Sequence, residues 1–445
     1  MKTVQGSPLA LLPLLVFLVI FLGSGIYYSQ QNIDFAFYQI KAPVAVLPAI
    51  IIAMMMGRET LNQKVETFLK GIGDMNIVMM CMVFLLAGAF ASVTKAIGGV
   101  DATVNLGLHI IPQQLILPGI FVISAFIATA MGTSMGTIAA MAPIAVGFAN
   151  TADVSLGLAV GAVIGGAMFG DNLSIISDTT IAATRTQGCE MRDKFKLNFL
   201  IATPAAVVTM VVLFVLGNTG SVPQPEDINF LLVLPYLAVL GLALAGVNVL
   251  VVLMSGIIIA GITGIYHSSD YTIETLSSNI FDGYSNMLEI MVLSMFIGGL
   301  SAIMKARGGL TFLVSLIQRF TERRGLQRRG GEAGISALVS IAGFFTANNT
   351  VAILISGSSA QEIATKNGID GRRSASLLDI FSCVIQGLLP YGAQILLAGS
   401  VASMSPLELV SNVHYCWLLG LSAIIAIIFG YPKSNAVAAK EPATC

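Results

Sequence analysis

Charge is what this chain has least of. Of its 445 residues only 10% are Asp, Glu, Lys or Arg, and the net charge is −1. Soluble domains carry about 25% charged residues, so a soluble globular fold is excluded. With no bulk positive field, a nucleic-acid partner is excluded too. The five cysteines (Cys81, Cys189, Cys383, Cys416, Cys445) include no C-x-x-C pair, and the three histidines (His109, His267, His414) lie far apart. Neither set has the spacing of a metal site or a disulfide framework. There is no P-loop, which leaves ATP-driven pumping unsupported. There is no catalytic pair such as His near Glu, which argues against an intramembrane enzyme.

What is present is apolar, at 56% of residues. A bilayer crossing needs about 20 apolar residues, and such runs recur along the chain. They predict an all-α polytopic membrane protein with ten transmembrane crossings and two hairpins. The crossings fall at 9–28, 43–56, 75–94, 154–185, 196–216, 229–245, 248–265, 285–304, 375–399 and 413–430, and the hairpins at 116–148 and 334–361. The first segment, Leu9 to Tyr28, follows Lys2, but no clear small-x-small cleavage site comes after it, so it reads as a retained span. The stretch 154–185 is too long for one simple span and is interrupted by polar residues. A broken helix is expected there, which membrane depth tolerates only inside protein or beside a water-filled cavity.

The two halves resemble each other. Residues 49–57 match 256–264, Lys95-Ala-Ile-Gly-Gly99 matches Lys305-Ala-Arg-Gly-Gly309, and Asn76 matches Asn286, at offsets of 207 to 210. Loop charge sets their relative direction, because Lys and Arg concentrate on the cytoplasmic side. Loop 57–72 carries Arg58, Lys64 and Lys70, and its mate 265–284 carries none. Loop 95–114 carries only Lys95, against Lys305, Arg307, Arg319, Arg323, Arg324, Arg328 and Arg329 in 305–330. Loop 149–154 is bare, against Lys366, Arg372 and Arg373 in 362–374. Loop 185–196 carries Arg185, Arg192, Lys194 and Lys196, against none in 400–412. A parallel repeat would place basic loops at matching positions. The opposition predicts inverted repeats: a first half over 1–217, a periplasmic linker over 218–228, a second half over 229–432 and a cytoplasmic tail over 433–445, with both termini cytoplasmic. Inverted halves with discontinuous helices are a standard construction for secondary transporters, their sites near the bilayer midplane. A passive channel is the alternative that symmetry alone leaves open.

The stretch Gly170-Asp-Asn-Leu-Ser-Ile-Ile-Ser-Asp-Thr-Thr180 carries most of the chemistry. On a continuous helix Asp171, Ser174 and Asp178 would share one face, and Ser177, Thr179 and Thr180 add hydroxyls. Carboxylates and hydroxyls are hard oxygen ligands suited to a small cation such as Na+ at Asp171 and Asp178. Burial disfavours an ionised carboxyl, so such a group can trade a proton for a cation. The plain alternative is a solvated surface loop, against which stands the rule that intramembrane acids are functional by default. The first hairpin carries Gly132-Thr-Ser-Met-Gly-Thr137. Glycines permit a sharp turn, and Thr133, Ser134 and Thr137 could then present oxygens to a ligand beside Gly132 and Gly136; small-residue helix packing is the alternative. The matching place in the second hairpin is also polar, with Asn348, Asn349 and Thr350. A second break is expected between Asp379 and Gln394, where Pro390 removes a helix hydrogen bond and Asp379, Gln386, Tyr391 and Gln394 add polarity. Glu289 near an outer end and Arg185 at a cytoplasmic boundary read as solvated or snorkelling groups. The basic stretch 305–330 reads as a topology anchor, with anionic-lipid contact as the alternative, and the Met-rich runs 54–56 and 79–82 as flexible packing.

At Gly132-Thr-Ser-x-Gly-Thr137 and at Gly170-Asp171, Ser174 and Ser177-Asp-Thr-Thr180 the chain resembles the NhaC-type sodium/proton antiporter family. The resemblance spans nearly the whole chain and implies cation-coupled exchange without cofactors. Departures fall in both halves: Met135 stands where relatives often carry Trp, Asn172-Leu-Ser-Ile175 where they often carry Lys-Met-Ser-Pro, Asn348 or Asn349 where they tend to carry an Asp, and Pro390-Tyr-Gly-Ala393 where they tend to carry Pro-Trp-Asn-Thr, so the second half has lost acidic and polar features. Asp379 matches an acidic position of the family. Relatives of this kind are similar to exchangers of organic acids such as malate and lactate. The expected function is therefore Na+/H+ antiport, with a Na+- or H+-coupled exchanger of a small organic acid or amino acid as the alternative. The expected partners are a small cation, a proton, the lipid bilayer and, in the alternative, an organic solute; a homodimer stays open.

Overall fold

The computed structural model describes residues 6–31, 39–152, 154–217, 229–309, 311–313, 315–316 and 328–432. The linker 218–228, the tail 433–445 and Arg319, Arg323 and Arg324 of the basic stretch lie outside the described residues. All regular structure among the described residues is helical. The first half holds α1 (Leu12–Gln30), α2 (Ala42–Met55), α3 (Leu61–Ile72), α4 (Met75–Ala96), α5 (Gly99–Ile110), α6 (Ile116–Met131), α7 (Ser134–Thr151), α8 (Leu156–Leu173), α9 (Asp178–Gln187) and α10 (Met191–Leu216). The second holds α11 (Phe230–Leu244), α12 (Val249–His267), α13 (Ile273–Ala306), α14 (Arg328–Thr346), α15 (Asn349–Lys366), α16 (Gly371–Leu388), α17 (Ala393–Ala402), α18 (Pro406–Asn412) and α19 (His414–Phe429).

Among the described residues seven spans are long and apolar enough to cross a membrane, and eight if the bent pair α18–α19 counts as one. Of the ten expected crossings, eight fall on these spans, while the other two, α2 and α11, are apolar but shorter and are not among them. Two of the seven, Leu156–Gln187 and Gly371–Ala402, are broken within their length. The first break follows α8, where Ser174 turns extended and the likewise extended Ser177 leads into α9; the second follows α16, with Leu389 extended and Gly392 leading into α17. The sequence stretches that looked too polar for one span are the stretches that break.

The two hairpins turn alike. α6 ends at Gly132 with φ 67°, and Thr133 follows at φ −148°, ψ 123°. α14 ends at Thr346, Ala347 stands at φ 50°, and Asn348 follows at φ −146°, ψ 120°. The left-handed step is free for a glycine and costs an alanine about 1–2 kcal/mol. Register agrees as well: α7 and α15, α8 and α16, α9 and α17, and α10 and α18 begin at 134 and 349, 156 and 371, 178 and 393, and 191 and 406, a constant difference of 215. The left-handed C-caps Gly188 and Ser403 differ by the same 215.

α8 runs through the centre of the molecule, apolar on all sides and buried for most of its length, as expected of a helix with no polar face. It lies tight against α6. A Cβ on Gly170 would come within 2.4 Å of the Ala125 carbonyl oxygen, so only glycine fits there. That contact fixes the end of α8, and hence Asp171, against the first hairpin.

Candidate ion-binding cavity at the helix breaks

Four helix N-termini meet at one polar cavity. First-turn residues of α7 (Ser134), α9 (Asp178, Thr179), α15 (Asn349, Thr350) and α17 (Ala393, Gln394) line it, together with the hairpin residues Gly132, Thr133, Ala347 and Asn348. Asn76, Met79, Met80 and Val83 of α4 and Val249 of α12 close one side. The cavity measures about 120 Å³, room for about four waters, and so for a partly hydrated ion or a small organic solute. Each helix end carries about +0.5 charge. Four of them offset about two full negative charges, which Asp171 and Asp178 supply when ionised.

Asp171 is the buried acid of this cavity, only 3% exposed. Its Oδ2 accepts from Ser134 Oγ at 3.1 Å and its Oδ1 accepts from Ser177 Oγ. Ser177 Oγ lies 2.9 Å from Thr179 Oγ1. From Ser134 the chain of contacts continues into the second half: Gln394 Nε2 donates to Ser134 Oγ at 3.2 Å, and Gln386 Nε2 donates to Gln394 Oε1 at 2.6 Å and to the Ala347 carbonyl at 3.2 Å. Gln386 Oε1 has no partner.

Asp178 also lines the cavity but is exposed. The shared helical face expected for Asp171, Ser174 and Asp178 does not exist, because the helix breaks between them. Ser174 faces away from the cavity, and its hydroxyl donates to the Thr129 carbonyl at 3.0 Å, pinning the break to the first hairpin. Thr137 bonds back to the Thr133 carbonyl at 3.1 Å. Gly136 serves packing, since a Cβ there would lie 2.5 Å from Val249 Cγ2. Pro390 stands in the second break outside the lining, and Asn348 caps α15 by accepting from the Val351 N–H at 2.9 Å. Glu289 pairs with the exposed Lys41 at 3.1 Å, as a solvated group would.

Asp379 and Thr180 lie behind the cavity rather than in it. Asp379 is fully buried, with Oδ2 2.7 Å from Lys194 Nζ and 2.7 Å from Asn198 Nδ2. Lys194 also donates to Thr180 Oγ1 at 2.6 Å and to the Asn172 carbonyl at 2.9 Å. The sequence assigned Lys194 to a basic cytoplasmic loop; the structure buries it completely one turn into α10. Arg373, assigned to loop 362–374, is likewise buried and pairs with Glu332 at 2.9 Å. Arg185, Arg192 and Lys196 remain exposed, so that loop keeps its basic character. Sequence reasoning passed over Lys194 and Asn198 because they alternate with Arg192, Asp193 and Lys196. The usable signal was their spacing of four, which puts both on one face of α10.

Residues 4–218 match the model of the Na+/H+ antiporter family. The Na+/H+ antiporter NhaC of Bacillus subtilis is 28% identical over 392 residues, covering 81% of this chain and 84% of that protein. The malate-2H+/Na+-lactate antiporter of the same organism is 21% identical, over 97% of this chain and 98% of its own. The arginine/ornithine antiporter ArcD of Halobacterium salinarum is 23% identical, over 80% of this chain and 79% of its own.

Proposed function

We propose that the chain is a multi-pass secondary antiporter of NhaC type, as its match to the Na+/H+ antiporter family over residues 4–218 and its likeness to NhaC support, and that it exchanges Na+ for H+ at Asp171. The observation that carries this is a single buried carboxylate facing a polar cavity, held by two serine hydroxyls and within one contact of a threonine hydroxyl. A buried acid is stable with a proton or with a cation beside it, and costly with neither. Occupancy by Na+ and by H+ then exclude each other, which is the requirement for antiport. Ser134, Ser177 and Thr179 supply neutral oxygens. Asp178, exposed at the cavity wall, draws cations in without serving as the exchange site. Asp379 is left to Lys194.

The offset of 215 and the paired left-handed positions support two repeats, the opposed loop charges favour their inversion, and rocking of one against the other would carry the site from one face of the membrane to the other. Loop charge keeps both termini on the cytoplasmic side in this scheme. A second function is favoured by the other half of the cavity. There α15 and α17 present their N-termini beside the neutral Asn348, Asn349, Gln386 and Gln394, an environment that suits the carboxylate of an organic solute. The names of two relatives point the same way.

Proteoliposomes loaded with a pH-sensitive dye separate the two. Na+ pulses alone should move protons, with a response that saturates in Na+. If Na+ is silent until malate, lactate or arginine is supplied on the opposite side, the organic exchanger is the function. Flux that never accumulates solute against a gradient would mark a channel and end both.

A further inference from the structure

Behind the cavity the structure places a charged amine where a metal ion would be at home. Lys194 Nζ has three oxygen neighbours within 3 Å: the Asn172 carbonyl, Thr180 Oγ1 and Asp379 Oδ2. Each comes from a separate helix: Asn172 from the last turn of α8, Thr180 from the first turn of α9, Asp379 from α16. A carboxylate, a hydroxyl and a carbonyl freed at a helix break are hard oxygen donors. The Asn172 carbonyl also stands at the negative end of α8. Lys194 and Asp379 are both 0% exposed. Acceptors here outnumber donors, since Asp379 Oδ1, Asn172 Oδ1 and Asn198 Oδ1 are buried without a hydrogen-bond partner. A buried ion pair earns little net stability, yet removing one member leaves an uncompensated charge. The place therefore demands a cation but does not demand lysine.

We propose that the Lys194 ammonium is a tethered cation filling a monovalent-cation site between the two halves, and that removing the side chain opens this site to Na+. The site adjoins the cavity through Asn172, which follows Asp171 directly. With Lys194 in place the site is permanently occupied, so only the Asp171 side of the protein exchanges its cation. That consequence for the number of ions moved per cycle rests on the Na+/H+ function proposed above; the site itself does not.

Thermal unfolding of the purified full-length protein tests it, comparing NaCl with choline chloride at equal ionic strength and alkaline pH, where protons do not compete. Wild type against Asp171→Asn reports separately whether Asp171 takes Na+. In the Asp171→Asn background, adding Lys194→Ala should create a Na+-specific rise in melting temperature, about 3 °C with Na+ at roughly 100 times its dissociation constant. Adding Asp379→Asn to that pair should abolish the rise. If Lys194→Ala folds only in Na+, unfolding on exchange into choline supports the proposal equally. Equal melting in Na+ and choline for Asp171→Asn/Lys194→Ala overturns it, whatever wild type does. The charge-neutral Lys194→Ala/Asp379→Asn protein should fold and melt alike in Na+ and choline, which separates loss of the amine from loss of the site.

Discussion

The break after Leu173 and the break after Leu388 share a register, a geometry and a neighbour in a hairpin tip, yet they carry different chemistry. At the offset of 215 Asp171 corresponds to Gln386, Ser134 to Asn349 and Asp178 to Ala393. One side of the cavity is anionic and rich in hydroxyls; the other is neutral and rich in amides. Backbone conformation has been kept at both, down to the left-handed turn that Ala347 adopts without being glycine. The scaffold of a helix break is therefore separable from the charge placed on it. A cation would be held from the first half, and the second half contributes positive helix ends and hydrogen bonds. Asp171 and Asp379 teach the same lesson within one residue type. Both are buried acids near a break, but Asp171 meets only hydroxyls and Asp379 meets an ammonium.

The largest expected effect comes from neutralising the charged side. Asp171→Asn should abolish Na+-coupled proton flux in proteoliposomes while the protein still inserts and purifies. Asp178→Asn should cost far less, raising the Na+ concentration for half-maximal flux several-fold without eliminating transport, because its carboxylate is already in contact with water. Equal losses in the two variants would dissolve the distinction between a buried exchange site and an exposed attractor. A charge can next be added to the neutral side. Gln386→Glu places a carboxylate among Gln394 and the hairpin-tip carbonyl of Ala347, close to the ends of α15 and α17. The variant loses both hydrogen bonds that Gln386 Nε2 donates, to Gln394 Oε1 and to the Ala347 carbonyl, so it should melt lower than wild type, and a cation beside the new carboxylate should restore part of that loss. Its Na+ dependence should steepen as a second carboxylate joins the cavity, and its response to any organic anion should fall. An unchanged profile for both would mean that this wall does not face the transported species. The smallest effect tests the shared turn. Ala347→Gly relieves a left-handed strain of about 1–2 kcal/mol, partly offset by glycine's greater freedom in the unfolded chain. Its melting temperature should rise slightly, whereas Gly132→Ala at the equivalent turn should lower it, all the more because a Cβ there would sit 2.8 Å from Ile176 Cγ1.

Much of this was readable in the residues. The hairpins at 116–148 and 334–361 and the breaks near 174–177 and 389–392 announce themselves by polar and small residues inside apolar runs. Asp171, Ser134, Ser177, Thr179, Asn348, Asn349 and Gln394 were all legible as candidates and all line one cavity or bond to those that do. What did not follow was their ranking. Asp171 and Asp178 look equivalent in a motif seven residues apart, and only the break between them buries one and exposes the other. Nor could a basic loop residue be distinguished from a buried one, because Lys194 and Lys196 differ by a rotation about the helix axis rather than by anything in their neighbours' composition.

The sequence by itself determined that the chain crosses a membrane several times, where its helices must fail, and which oxygen-bearing side chains gather at the failures. Those properties depend on local composition and period, which the bilayer reads segment by segment. Only the tertiary structure decided that four helix ends share one cavity, that Gln386 answers Asp171 across it, and that Asp379 is taken by Lys194. Those outcomes depend on contacts between residues up to about 260 positions apart, and on whether water reaches a charge, which no stretch of sequence specifies alone.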